Sequence, residues 1–160
     1  MRIGVMSDSH DNLTLMSRAV ELFNREKVDL VLHAGDFVAG FTAARMRELD
    51  ARLIGVFGNN DGDRRFLLLR YQDFAELHDE YYETELAGRK IVMMHQPKFL
   101  EALAASRHYD LIIYGHTHQV DVRQGSALVL NPGECGGWLT GKATVAIVDL
   151  ESMKPDIISL

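Results

Sequence analysis

Five short apolar runs in this chain end in the same kind of residue, and no other feature constrains the fold as much. The run at 2–6, RIGVM, is followed by Ser7, Asp8, Ser9 and His10. LVLH is followed by Ala34, Gly35 and Asp36, and LIGVF by Gly58, Asn59 and Asn60. KIVMM is followed by His95, and LIIY by Gly115, His116, Thr117 and His118. Short runs of this composition, bounded by glycine and polar residues, read as buried strands. In open α/β sheets, ligands bind outside the carboxyl ends of the strands. Five such strands side by side bring their polar ends to one rim. Asp8 and His10 are two residues apart, as are His116 and His118. On a regular strand such pairs share a face; just past a strand end, a tight loop instead curls both toward one point. Gly35, Gly58 and Gly115 permit the close backbone approach this needs.

Between the runs the pattern is helical at first. Leu13, Met16, Val20 and Phe23 recur at helical spacing, with Asp11 or Asn12 as the N-cap. Residues 39–49 and 64–76 also read as helices, alternating with strands at 29–33 and 52–57. Strands alternating with helices imply βαβ units and a largely parallel sheet covered on both faces. After residue 80 the texture becomes β-rich. YYETELAGRKIVMMH predicts two strands around an Ala-Gly turn, 98–107 a short helix and 110–114 another buried strand. The tail beyond residue 119 reads as short strands joined by Gly-Ser and Pro-containing turns. The expected fold class is α/β, with two packed β-sheets flanked by helices. No linker or repeat divides the chain, so 1–160 reads as one domain.

Charge and cysteine content narrow the function classes. A net charge of -6 argues against a broad surface for phosphate backbones, so extended nucleic acid is not the expected partner. One cysteine, Cys135, allows no intrachain disulfide and fits a reducing cytoplasm. No apolar stretch approaches a membrane span. The rim itself offers at least three histidines, at least two carboxylates and an amide, without thiolate. That set suits borderline to hard divalent ions and argues against a structural cysteine-type zinc site. Seven candidate ligands exceed the needs of one tetrahedral ion and point to two. Two-metal sites stabilise both the attacking and leaving oxygens of an in-line displacement, and they add positive charge to an acidic chain. A small anionic phosphate ester is the expected substrate.

The motif order Asp8-x-His10, Gly35-Asp36, Gly58-Asn59, His95 and Gly115-His116-Thr117-His118 resembles the calcineurin-like metallophosphoesterases, particularly their small single-domain prokaryotic phosphodiesterases. The resemblance runs from residue 3 to about 134, where NPGE is similar to the family's Asn-Pro-Gly-Ser loop. It implies an α/β/β/α sandwich with two divalent ions, manganese foremost among Mn, Ni, Fe, Zn and Mg. It further implies that Asp8, His10, Asp36 and His118 hold one ion, and Asp36, Asn59, His95 and His116 the other, with Asp36 bridging. Attack by a metal-bound hydroxide on a phosphodiester, in preference to a monoester, is the implied reaction. Asn59, Asn60 and His95 stand as the candidate catalytic residues. The alternative is a protein-interaction scaffold like the retromer subunit of this fold; a nuclease is a third reading, disfavoured by charge and chain length. The oligomeric state is open, and a homo-oligomer is compatible with the sequence.

Three positions depart from the family pattern. Asn60 stands where many members have a histidine; it can donate a hydrogen bond but is no general acid at neutral pH. Gln96 replaces the usual glycine after His95. Glu134 replaces a small serine, which puts a carboxylate near an anion-binding site. Among other residues, His33 reads equally as a group orienting a ligand and as core packing. His78 and His108 read as surface residues, Cys135 as an inert loop thiol and Trp138 as a packing residue. Arg64 and Arg65 read as a solvated helix start.

Overall fold

A computed structural model describes all 160 residues. The first half builds β1 (Arg2–Met6), α1 (Leu13–Glu26), β2 (Leu30–His33), a 3-10 turn at Gly40–Thr42, α2 (Ala43–Met46), β3 (Arg52–Val56), α3 (Arg64–Tyr71) and β4 (Ala75–His78). The second half adds β5 (Tyr81–Leu86), β6 (Arg89–Met94), α4 (Leu100–Ala105), β7 (Leu111–Ile113), β8 (Val120–Gln124), β9 (Leu128–Pro132), β10 (Thr144–Asp149) and β11 (Lys154–Ser159). They form a six-stranded sheet, β11-β10-β1-β2-β3-β4, and a five-stranded sheet, β5-β6-β7-β9-β8. The runs β1 to β4 are mutually parallel, as are β6, β7 and β9; β10 and β11, β5 and β8 add antiparallel, while β4 ends its sheet as a parallel edge.

The two sheets pack face to face. Ile3, Val5, Leu30, Leu32, Ile54 and Val56 meet Ile91, Met93, Leu111, Ile113 and Leu130 in a shared core. The opposite face of the six-stranded sheet carries Val31 and Leu53, covered by Met16, Val20 and Phe23 of α1 and Leu67 and Tyr71 of α3. The outer face of the five-stranded sheet, with Val92, Met94 and Ile112, lies under Leu100 and Leu103 of α4. The layered sandwich expected from the sequence is what the chain forms.

Local chemistry explains most element ends. Asn12 caps α1 by accepting from the Leu15 amide at 3.3 Å. Lys27 then stops the helix in the left-handed region, φ 52°, with its amide bonded back to Phe23 and Asn24. Two expectations need correction. The helix expected at 39–49 shrinks to the 3-10 turn plus one α-turn, neither of which has a side-chain cap. Gly40 sits against the Phe66 ring, where a Cβ would lie 2.5 Å from Cδ1, so a close approach rather than helix propensity fixes that residue. The helix expected at 64–76 ends at Tyr71, and 75–78 joins the sheet as an edge strand paired with β3. Ala75 and Glu76 are good helix formers; pairing to an available strand edge overrides that weak preference.

Candidate metal centre

The residues after β1, β2, β3, β6 and β7 converge at one rim, across the junction of the two sheets. Curled loops, not strand periodicity, deliver them. Asp8, His10, Asp36, His116 and His118 all have positive φ, between 42° and 69°. Such conformations are uncommon for non-glycine residues, and persist where the surroundings over-determine them. Here the loops are sewn together by backbone bonds: Asp8 donates to Gly35 at 2.9 Å, His10 to Asp36 at 3.1 Å, Gly115 to His95 at 3.0 Å and Gly136 to Asp8 at 3.0 Å. A Cβ on Gly35 would lie 2.7 Å from His95 Nδ1, and one on Gly58 or Gly115 would collide with the Asp36 or Asp8 carboxylate.

All seven expected ligands meet there. Asp36 Oδ2 lies between two imidazoles, 3.4 Å from His10 Nε2 and 3.3 Å from His95 Nε2. Asp8 Oδ1 is 3.5 Å from His118 Nε2 and 3.9 Å from His10 Nε2. Asn59 Oδ1 is 2.9 Å from His95 Nε2 and 2.8 Å from His116 Nδ1. Asp8 and Asp36 are 0% and 1% exposed. Asp8, His10 and His118 form one triad with metal-ligand spacing, and Asp8, Asp36 and His95 a second. Both carboxylates are thus within reach of more than one group of ligands.

The tautomers test whether this set fits cations. His95 Nδ1 faces the Ala34 carbonyl at 2.8 Å and so donates to it. That leaves Nε2 pointing at two oxygen acceptors. His118 Nδ1 likewise donates to Glu134 Oε2 at 2.8 Å, leaving Nε2 toward Asp8. His10 Nε2 is buried with no hydrogen-bond partner. Electron pairs crowded on one point beside buried carboxylates call for positive charge between them. The charge balance agrees. Burial disfavours protonation of His95, yet the hydrogen-bonded Asp36, with Asp8 beyond, pushes its pKa above the ordinary value. Burial raises Asp8, against the lowering effects of Ser7 and the histidines. Burial also opposes ionisation of Asp36, but His95 and Asn60 outweigh it and hold that carboxyl well below the usual range. A divalent ion replaces those protons naturally, and the donor set fits it.

Several supporting residues were misjudged or missed. Two acids before α3, Asp61 and Asp63, have different tasks. Asp63 is the cap, accepting from the Phe66 amide at 3.0 Å. Asp61, 3% exposed, instead accepts from the amides of Gly58 (2.7 Å), Val38 (2.7 Å) and Asp36 (3.1 Å), joining two ligand loops. Its position ending GNND was the available signal. His33 does both jobs proposed for it: it stacks on Phe37 at 3.7 Å, accepts from Gly35 N and meets Ser9 Oγ at 3.0 Å. Burial drives its pKa down to about 3, so it is neutral. Glu134 presents no free oxygen to an anion; it accepts from His118, the Trp138 and Leu139 amides and Thr140 Oγ1. Trp138 is not a packing residue. It is 64% exposed, with Nε1 donating to the His10 carbonyl at 3.0 Å. Arg64 belongs to the rim, 5.2 Å over the Phe57 ring. Asn60 donates twice to Asp36, from its backbone and from Nδ2, both at 2.8 Å.

Comparison with known proteins agrees with this geometry. The family model of the calcineurin-like phosphoesterase superfamily domain matches residues 1–153. Phosphodiesterase MJ0936 of Methanocaldococcus jannaschii is 42% identical over 156 residues, covering 94% of each chain. Phosphodiesterase YfcE of Escherichia coli K12 is 26% identical over 148 residues, covering 83% of this chain and 78% of that protein. A solved archaeal phosphodiesterase superposes with a TM-score of 0.94 at 39% identity, covering all of both chains. Vps29 of Chaetomium thermophilum shares the fold, with a TM-score of 0.73 at 15% identity over 100% of this chain and 96% of that one. The conjunction of motif order, ligand geometry and full-length likeness makes this chain a member of the calcineurin-like phosphoesterase superfamily.

Proposed function

We propose that this protein is a phosphodiesterase working with two divalent cations, manganese foremost, on small phosphate esters in a reducing cytoplasm. One observation carries the reading: three imidazole Nε2 atoms face two buried carboxylates, and two of those rings already use Nδ1 elsewhere. In this reading Asp8, His10, Asp36 and His118 hold one cation, and Asp36, Asn59, His95 and His116 the other. Bound cations supply the Lewis acidity that draws phosphoryl oxygens and makes a water nucleophilic at neutral pH. The chain supplies rigidity: Asp61 and Asn60 fix Asp36, Ser7 fixes Asp8, and the Ala34 and Glu134 acceptors orient His95 and His118. Such outer partners typically govern metal affinity 10–100-fold. Outside the candidate ligands themselves, no side chain beside Asp36 is a ready general acid, because Asn60 occupies the place often held by histidine. Esters with good leaving groups are therefore the preferred substrates.

The likeness of the whole chain to proteins named phosphodiesterases supports a diester substrate. A scaffold like Vps29 is the rival, supported by fold alone. Metal analysis with hydrolysis of bis(4-nitrophenyl) phosphate in manganese and nickel decides between them. Two ions per chain with metal-dependent turnover is the expected result. A chain that binds no divalent ion and leaves the diester intact would overturn the proposal.

A further inference from the structure

Beside the metal centre lies a cleft of about 530 Å³ that the ligand set does not use. Asn59 and His95 line it, so it opens directly off the rim. Its floor is the outer face of the β5–β6 hairpin, where register sets Tyr81 against Met94 and Glu83 against Val92. Phe57 and Phe99 also line it. The volume is that of a pocket for a small organic ligand.

Two exposed aromatic residues line the cleft. Phe99 is 81% exposed, and it has φ 55° and ψ 25°, the left-handed region that an aromatic side chain rarely adopts. It precedes α4 without forming any side-chain cap. Tyr81, on the edge strand, is 60% exposed. Exposed aromatic faces over an apolar floor point to a flat apolar partner. Charge decides what kind. The lining has two cations, Arg64 and Lys98, against three carboxylates, Asp79, Glu80 and Glu83. Arg64 is further engaged by Asp79 at 3.7 Å and the Gly58 carbonyl at 3.4 Å. A second phosphate is therefore disfavoured in the cleft, whereas a neutral ring is welcome, and one carrying hydrogen-bond donors can reach the carboxylates.

We infer that this cleft is a subsite for an uncharged aromatic ester arm of the substrate, held by Phe99 and Tyr81 while the phosphodiester sits at Asn59 and His95. The inference rests on the phosphodiesterase reading and names its substrate class: aryl-type or nucleoside-like diesters in preference to alkyl or polyphosphate esters.

The test uses the manganese-loaded full chain. Dissociation constants of diphenyl phosphate and dimethyl phosphate are measured by calorimetry, with turnover of phenyl and methyl 4-nitrophenyl phosphate, which share a leaving group. Diphenyl phosphate is expected to bind at least 10-fold more tightly than dimethyl phosphate. Phe99→Ala and Tyr81→Ala each reduce that ratio by 3-fold or more, whereas Leu69→Ala, on the exposed face of α3 outside the cleft, retains it. Equal affinity for the two diesters, no binding of diphenyl phosphate, or a ratio indifferent to Phe99 and Tyr81 overturns the subsite. Aryl preference in binding with no turnover of either ester supports the subsite and overturns the hydrolytic function instead.

Discussion

Single side chains decide how well the site holds its charge. Glu134 is the sharpest case, since it stands where the family pattern has a small serine yet spends both carboxylate oxygens on protein donors. Burial disfavours its charge, but bonds from Thr140, His118 and Leu139 win and hold its pKa at about 2. Replacing it by Gln removes a charged acceptor from His118 Nδ1 and releases the turn at 138–140. Manganese affinity is expected to fall about 10-fold or more, read by calorimetry. The pH dependence follows from the same shift. A carboxyl at about 2 when folded and 4.5 when unfolded contributes stability above pH 4.5, which is lost as pH falls toward 2. Metal-free Glu134→Gln should thus be less stable than the parent at pH 7, and the difference should shrink between pH 4.5 and 2 in chemical denaturation. Asn60→His tests the missing acid: it should raise turnover of poor leaving groups relative to good ones, and an unchanged ratio would count against that account. Cys135 settles as a core residue, 0% exposed, its thiol pushed up to about 12 by burial. Iodoacetamide should label it only on unfolding, as mass spectrometry in and out of denaturant can establish.

Elements matter here through their ends. The ligand loops occupy the carboxyl ends of parallel strands, and the helices that follow must start where those loops finish. Asn12 shows the coupling: Oδ1 caps α1, while Nδ2 donates to the Gly136 carbonyl at 2.9 Å, tying the first ligand loop to the loop after Glu134. Asn12→Ala is expected to cost about 1 kcal/mol for the cap and somewhat more for the lost tie. Thermal unfolding of the metal-free chain measures it, and a loss well below 1 kcal/mol would refute the double role. The two elements misread from sequence fail for one reason. Residues 39–49 and 72–76 carry helix-forming side chains, but their conformations are dictated by neighbours: the Phe66 ring against Gly40 and the open edge of β3. Weak local preferences give way to such contacts.

For the molecule as a whole, cation binding and folding should be linked, because the two sheets each bring candidate ligands to one rim. Ions that bind only the folded chain stabilise it by about 2.7 kcal/mol at 100 times the dissociation constant. For a chain of this size that corresponds to a rise in Tm of roughly 5–10 °C with manganese, reversed by EDTA. His10→Ala should abolish much of the rise, and a Tm indifferent to both ion and chelator would contradict the linkage. The sequence by itself determined strands β1, β2 and β3, the layered class and the set of seven convergent residues. Those follow from apolar periodicity and from polar residues placed just past each buried run, both local signals. Tertiary structure alone decided the rest: which ring nitrogens face the buried carboxylates, that Glu134 turns inward, that Asp61 joins two loops, and that an aromatic cleft adjoins His95. These depend on backbone curls and on partners 16 to 61 residues away in the chain, and distances of that kind are not written in any short stretch of sequence.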